Sequence, residues 1–204
     1  PSEKDKTVSE HERQMIAYHE AGHTIVGLVL SNARVVHKVT IVPRGRAGGY
    51  MIALPKEDQN LLSKSDLKEQ LAGLMGGRVA EEEIFDDITT GASQDIKQAT
   101  AIAKSMITKF GMSEKLGLIN YDNDSDEVFI GRDFGHTSRG YGEKIAGTID
   151  EEVKRIIDEC YAQARSIIQE YHPVLEKCAE LLLEKEKITR SEFEALFEES
   201  ETDA

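Results

Sequence analysis

The stretch Tyr18-His19-Glu20-Ala21-Gly22-His23 holds two histidines four positions apart, with a glutamate directly after the first. On a helix, residues at i and i+4 project from one face about one turn apart, so both imidazoles can reach one Zn2+. Zinc in such a site polarises a carbonyl and lowers the pKa of a water it holds to roughly 7. Glu20 can lie beside the coordination position left open, take a proton from the attacking water and pass it to a leaving amine. The spacing therefore predicts a zinc-dependent peptidase with His19 and His23 as ligands and Glu20 as the general base.

A catalytic zinc needs a third protein ligand. The candidates are His37, Glu81, Glu82, Glu83, Asp95, His136 and His172. His37 sits at an alternating strand position and His172 directly before a proline, and both read better as structural histidines. Glu81 competes because many enzymes with this motif take a Glu from a second helix. Asp95 competes because a short carboxylate in the first turn of a helix is held rigidly, although it also suits a helix N-terminus on electrostatic grounds alone. Spacing leaves Glu81 and Asp95 unresolved.

The elements that must position these residues are mostly helical. Ser9 with Glu12 fits a capping box, and apolar periodicity then runs from Met15 to about Leu30. Val35–Val42 and Tyr50–Leu54 read as two strands of a hairpin around the turn chemistry of Pro43 to Gly49. Ser63 with Asp66 opens a second helix. Its Gly76-Gly77 pair costs about 1 kcal/mol per glycine relative to Ala, which predicts a close approach to another helix or to the metal site. Ser93 is expected to cap a third helix that stops near Phe110 and Gly111. Met112 to Gly140 reads as irregular, with short strands at Leu118–Asn120 and Val128–Ile130. A long amphipathic helix follows from Tyr141 to Tyr171, then one from Val174 to about Glu186, and a last one opened by Thr189 with Glu192. The fold class is mainly α with a small β-hairpin or sheet, ending in a C-terminal helical bundle.

Composition excludes several functions. A formal net charge of −13 argues against nucleic acid as a partner, and Arg44-Gly45-Arg46 reads as a turn tip. Cys160 and Cys178 form no C-x-x-C pair and read as plain core or helix-surface cysteines suited to a reducing compartment. No run approaches the roughly 18 apolar residues of a membrane span, and no G-x-x-x-x-G-K-[ST] phosphate loop occurs. Residues 1–8 read as a linker from an upstream domain, 9–197 as the metallopeptidase domain and 198–204 as an acidic tail.

Several motifs in order resemble one family. They are Ala17 to His23, Val39-Thr40-Ile41-Val42-Pro43-Arg44-Gly45, and Met75-Gly76-Gly77-Arg78-Val79-Ala80-Glu81-Glu82. Thr90-Gly91-Ala92-Ser93-Gln94-Asp95-Ile96 and Phe110-Gly111-Met112-Ser113-Glu114-Lys115-Leu116-Gly117 continue the match. Together they are similar to the peptidase domain of the FtsH-type, membrane-anchored, ATP-dependent zinc metalloproteases. The resemblance implies Asp95 as the third ligand, with Glu81 supporting. It implies polypeptide substrates fed into a homo-oligomeric, hexameric ring by an ATPase domain upstream of Pro1. In that picture ATP is used only in that domain, and a membrane anchor places this domain on the cytoplasmic side. It also implies that the strand from Gly49 to Leu54 holds substrate in extended form. Phe129-Ile130-Gly131-Arg132-Asp133 departs mildly from the usual Phe-Leu-Gly-Arg-Asp. Gly142 stands in place of the usual serine at the start of the long helix, which should loosen it. The alternative reading is a non-catalytic, zinc-stabilised oligomerisation scaffold, which would have no use for Glu20.

Overall fold

Helix α1 (Glu10–Val29) begins where a side chain can satisfy its open N-terminus: the Ser9 hydroxyl accepts from the Glu12 N–H at 3.1 Å. The computed structural model describes residues 8–30, 34–42, 50–55, 61–122 and 140–202. Helix α2 (Lys64–Phe85) carries a complete capping box. Asp66 N–H donates to Ser63 Oγ at 3.0 Å, and Ser63 N–H to Asp66 Oδ2 at 2.9 Å.

Helix α3 (Ser93–Thr108) starts differently from expectation. A 3-10 turn, Thr90–Ala92, precedes it, and Thr89 caps that turn by accepting from the Gly91 N–H at 3.1 Å. Ser93 is therefore the first helical residue and not the cap. The helix ends at Thr108, two residues short of Phe110, and Gly111 takes the left-handed φ of +62° that the reversal requires.

Helix α4 (Glu143–Glu170) begins at Gly142 with no side-chain cap, as the loss of a hydroxyl there leads one to expect. Helix α5 (His172–Lys185) opens two residues earlier than Val174, because Pro173 sits in the first turn, where its missing N–H would have no partner. Helix α6 (Arg190–Thr202) runs past Phe197 into the acidic residues. Glu192 accepts from both the N–H and the hydroxyl of Thr189.

Strands β1 (Arg34–Thr40) and β2 (Tyr50–Pro55) pair antiparallel with Arg34 opposite Pro55 and Thr40 opposite Tyr50, and the register shifts between Val36 and Lys38. The expected hairpin pairing is present, and a third strand extends it. β3 (Lys187–Thr189) pairs antiparallel with β1, giving the order β2-β1-β3. Three residues between two helices carry no legible strand period. Only the proximity of β1, anchored by Ile41 N–H to Glu186 C=O at 2.9 Å, makes them a strand. Leu118–Asn120 is not a strand. Leu118 and Ile119 are exposed, and no neighbouring edge pairs with them among the described residues. Val128–Ile130, the turn at 43–49 and the segment 129–133 lie outside the described residues.

α1 packs chiefly on α2 and α5, and α2 carries α3 and α4 on its other sides. The common core includes Ile25, Leu71, Met106, Ile156, Ile168, Leu175, Leu182 and Phe193, all fully buried. Cys160 and Cys178 belong to it, and burial pushes their thiols up to about 11 and about 12, where they are inert. Among the described residues no helix is long and apolar enough to cross a membrane.

Candidate metal centre

The site is built where α1 and α2 touch. A Cβ on Gly22 would lie 2.2 Å from the Gly76 carbonyl oxygen, and one on Gly76 would lie 2.6 Å from that of Gly22. Two bare backbones are thus in contact, which only glycine permits. One position on, a Cβ at Gly77 would lie 2.5 Å from the His19 ring. The expensive glycine pair in α2 makes room first for a backbone and then for an imidazole.

This approach brings α2 groups within reach of both histidines. His23 Nδ1 lies 2.8 Å from the Gly73 carbonyl. A carbonyl only accepts, so Nδ1 carries the hydrogen, and the neutral ring keeps its Nε2 lone pair facing inward. His19 Nδ1 lies 3.4 Å from Glu81 Oε2, which orients its Nε2 the same way. Asp95, in the first turn of α3, is delivered by the 3-10 turn to the opposite side. Its Oδ2 is 3.2 Å from each Nε2, and the two Nε2 atoms are 3.0 Å apart.

Three donor atoms form a nearly equilateral triangle. Ligands about 2.0–2.1 Å from a tetrahedral ion lie about 3.3 Å from one another, so the triangle has the edge length of such a site. Two imidazole lone pairs facing each other at 3.0 Å repel unless positive charge lies between them. The electrostatics agree. Burial alone would pull the His19 pKa down, but hydrogen bonding to Asp95 and Glu81 outweighs it and takes the ring up to about 9. Burial likewise lowers His23, and Asp95 more than reverses this. Asp95 itself is pushed up by burial, yet the two imidazoles hold it well below the usual carboxylate range. His19, His23 and Asp95 are the group of described residues suited to holding a metal ion.

Glu20 is buried beside them, and its backbone carbonyl accepts from Thr24 Oγ1 at 2.8 Å. Burial raises its carboxyl pKa, opposed by the fields of His23 and His19. A carboxylate held above its ordinary range accepts a proton more readily near neutral pH.

The remaining sequence candidates point elsewhere. Glu81 faces the outer nitrogen of His19 and lies on the far side of that ring from the triangle. Glu82 accepts from Tyr161 and from Arg165 at 2.7 Å, and Glu83 from Gln169 at 3.1 Å, so both turn toward α4. His172 is half-exposed and lies 3.6 Å from Glu176. The side chain of His37 and the whole of His136 lie outside the described residues. Three participants carried no sequence signal of their own: the Gly73 carbonyl, Arg78 and Thr89.

A histidine pair one helical turn apart, an adjacent buried glutamate and a carboxylate from another helix define a metal-dependent hydrolase centre. The chain belongs to peptidase family M41, whose sequence profile matches residues 6–196. It is 59% identical over 198 residues to the ATP-dependent zinc metalloprotease FtsH of Streptococcus pneumoniae, covering 97% of this chain and 30% of that protein. The FtsH proteins of Lactococcus lactis and Bacillus subtilis are 50% and 47% identical, each over 97% of this chain and over 28% and 31% of their own lengths. The chain thus spans about a third of the length of these curated relatives.

Proposed function

We propose that this chain is the zinc-dependent endopeptidase unit of an ATP-driven protease, with His19, His23 and Asp95 as metal ligands and Glu20 as general base. The observation that carries this reading is the triangle of Nε2, Nε2 and Oδ2 atoms, at the edge length of a tetrahedral zinc site, beside a buried carboxyl of raised pKa. The names of the relatives supply the metal's identity, and the donor set of two imidazoles and one carboxylate suits zinc. Bound there, zinc supplies Lewis acidity toward the scissile carbonyl and toward water. Glu20 takes the proton from the attacking water and returns it to the leaving amine. Gly73 and Glu81 keep the two imidazoles in the tautomer that points Nε2 inward.

Among the described residues strand β2 pairs with β1 alone, so no described strand uses the backbone groups of its other edge. An extended polypeptide pairing there would be held by its main chain, which suits substrates of varied sequence. In the full-length protein we assign the ATP requirement to a separate ATPase domain, assembly to a homo-hexameric ring, and location to a membrane anchor with this domain on the cytoplasmic side. Membership of the family and the relatives' names support an ATP-coupled protease acting on polypeptides; the ring and the sidedness are our extension of the family resemblance.

The test is Glu20→Gln in the zinc-loaded protein. It should keep stoichiometric zinc and lose cleavage of an unstructured peptide by about 10²–10⁴-fold. Wild-type cleavage by this variant would falsify the assignment of the base. Asp95→Asn should lose zinc while Glu81→Gln keeps stoichiometric metal at saturating zinc. The reverse pattern would move the third ligand to Glu81.

A further inference from the structure

Glu81 is fully buried, and a buried carboxylate needs partners for both oxygens. Oε1 accepts from the Thr89 hydroxyl in a short hydrogen bond. Oε2 faces His19 Nδ1 at 3.4 Å and Arg78 Nε at 3.8 Å. Those three atoms are buried, face one another at ion-pair distance, and make no hydrogen bond. Arg78 reaches further, with Nη2 donating to the Thr89 backbone carbonyl at 2.9 Å. Arg78 therefore holds Thr89 by its backbone, and Thr89 holds Glu81 by its side chain.

The Thr89 hydroxyl has a second duty. While it donates to Glu81, it accepts from the Gly91 N–H at 3.1 Å, the bond that opens the 3-10 turn leading into α3 and Asp95. A single hydroxyl thus stands between the support of His19 on one side and the segment that delivers Asp95 on the other. Outer hydrogen bonds of this kind set ligand orientation, and their loss lowers metal affinity about 10–100-fold.

We propose that Thr89, braced by Arg78, is a positioning residue that sets the geometry of two metal ligands at once: His19 through Glu81, and Asp95 through the Thr90–Ala92 turn. This rests on the reading of His19 and Asp95 as ligands. Removing the hydroxyl while keeping the shape, as in Thr89→Val, releases Glu81 and the Gly91 N–H together. The Thr89→Ser variant restores both bonds. Arg78→Gln removes the brace and leaves the hydroxyl, so its effect is smaller.

The experiment measures zinc affinity by chelator competition, with the visible spectrum of the Co2+-substituted protein and the metal-free melting temperature alongside. Thr89→Val should bind zinc about 10–100-fold more weakly, with an altered Co2+ spectrum, and Thr89→Ser should return both to wild type. In Glu81→Gln, the added Thr89→Val change should cost less than it does alone, because part of its action runs through Glu81. Zinc binding by Thr89→Val and Arg78→Gln equal to wild type would overturn the proposal, as would full additivity with Glu81→Gln. If Thr89→Val does not fold, Arg78→Gln and Thr89→Ser read the same device, and an unaltered zinc affinity in Arg78→Gln overturns the brace. His19→Ala separates the two readings. If it retains zinc, the ligand assignment is wrong; if it loses zinc while Thr89→Val does not, only the positioning role is wrong.

Discussion

At the contact of α1 with α2 the meeting residues are Gly22, Gly76, Gly77 and Ala80, whereas α4, α5 and α6 bury Ile156, Ile168, Leu175, Leu182 and Phe193. The first region gives up apolar area so that two backbones and an imidazole can share the space. It surrounds that space with buried His19, Glu20, His23 and Glu81. The second region follows the ordinary rule, in which large side chains leave water and stabilise the domain in proportion to the area removed. The candidate site and the bulkiest packing therefore use different residues, although α1 and α2 also bury Ile25 and Leu71 in the common core. A methyl group added in the first region should do what a ring removed from the second cannot.

The largest effect on stability is expected from the second region. Phe193 is the largest fully buried side chain among the described residues, and Phe193→Ala should lower unfolding free energy by about 3–5 kcal/mol. In the fraction that remains folded, zinc affinity should stay at the wild-type value. A shift in that affinity would show that the two regions are not separable.

Gly22→Ala comes next and crosses the divide. Its new Cβ would meet a backbone oxygen at 2.2 Å, which can yield only if the helices separate. Overpacking of this kind costs about 1–3 kcal/mol, and here zinc should be lost as well, read by metal content after gel filtration. Normal stability with full zinc would mean that the approach of α1 to α2 is not what builds the site.

Gly77→Ala sharpens the contrast, because its methyl meets the His19 ring and not a backbone. Ala gains about 1 kcal/mol over Gly within a helix. The metal-free variant should therefore melt no lower than wild type while its zinc affinity falls at least tenfold. A lower melting temperature together with intact zinc binding would reverse the argument.

The smallest effect concerns a clasp built from none of the site residues. Ser113 Oγ donates to Glu152 Oε1 at 2.6 Å, and Arg155 Nε donates to Glu152 Oε2 at 2.6 Å. Hydrogen bonding from Arg155 holds the Glu152 carboxyl below its usual range, with Ser113 adding to this against the effect of burial. A depressed carboxylate contributes stability that is present above about pH 4.5 and is lost as pH falls through its folded value. Ser113→Ala should cost about 1 kcal/mol at neutral pH. The stability gap between wild type and Glu152→Gln should narrow as pH drops from 5 to 3 in denaturant titrations. A gap independent of pH would show that Glu152 is not held as a carboxylate by this clasp.

Much of the site was legible because its logic is local. His19, Glu20 and His23 are related by helical spacing, a property of a single turn that survives any tertiary arrangement. The caps at Ser9 and Ser63 were legible for the same reason, as was the cost of Gly76-Gly77, which announced a close contact without naming the partner. Spacing could not choose between Glu81 and Asp95, since each stands on a different helix and their order along the chain says nothing about which nitrogen of His19 they face. The three-residue strand β3 and the 3-10 turn before α3 were also illegible, because each is too short to show a period and exists through a neighbour: β1 for one, Thr89 for the other.

The sequence by itself determined the chemistry on α1: two imidazoles one turn apart and a carboxyl beside the first. Tertiary structure decided what surrounds them. It placed the Gly73 carbonyl and Glu81 behind the rings, Asp95 in front, and Thr89 and Arg78 behind Glu81. The reason is physical. A helix sets the relation of residues four apart, but a ring's free nitrogen is directed by whatever packs against its other side, and that depends on how closely two helices can approach.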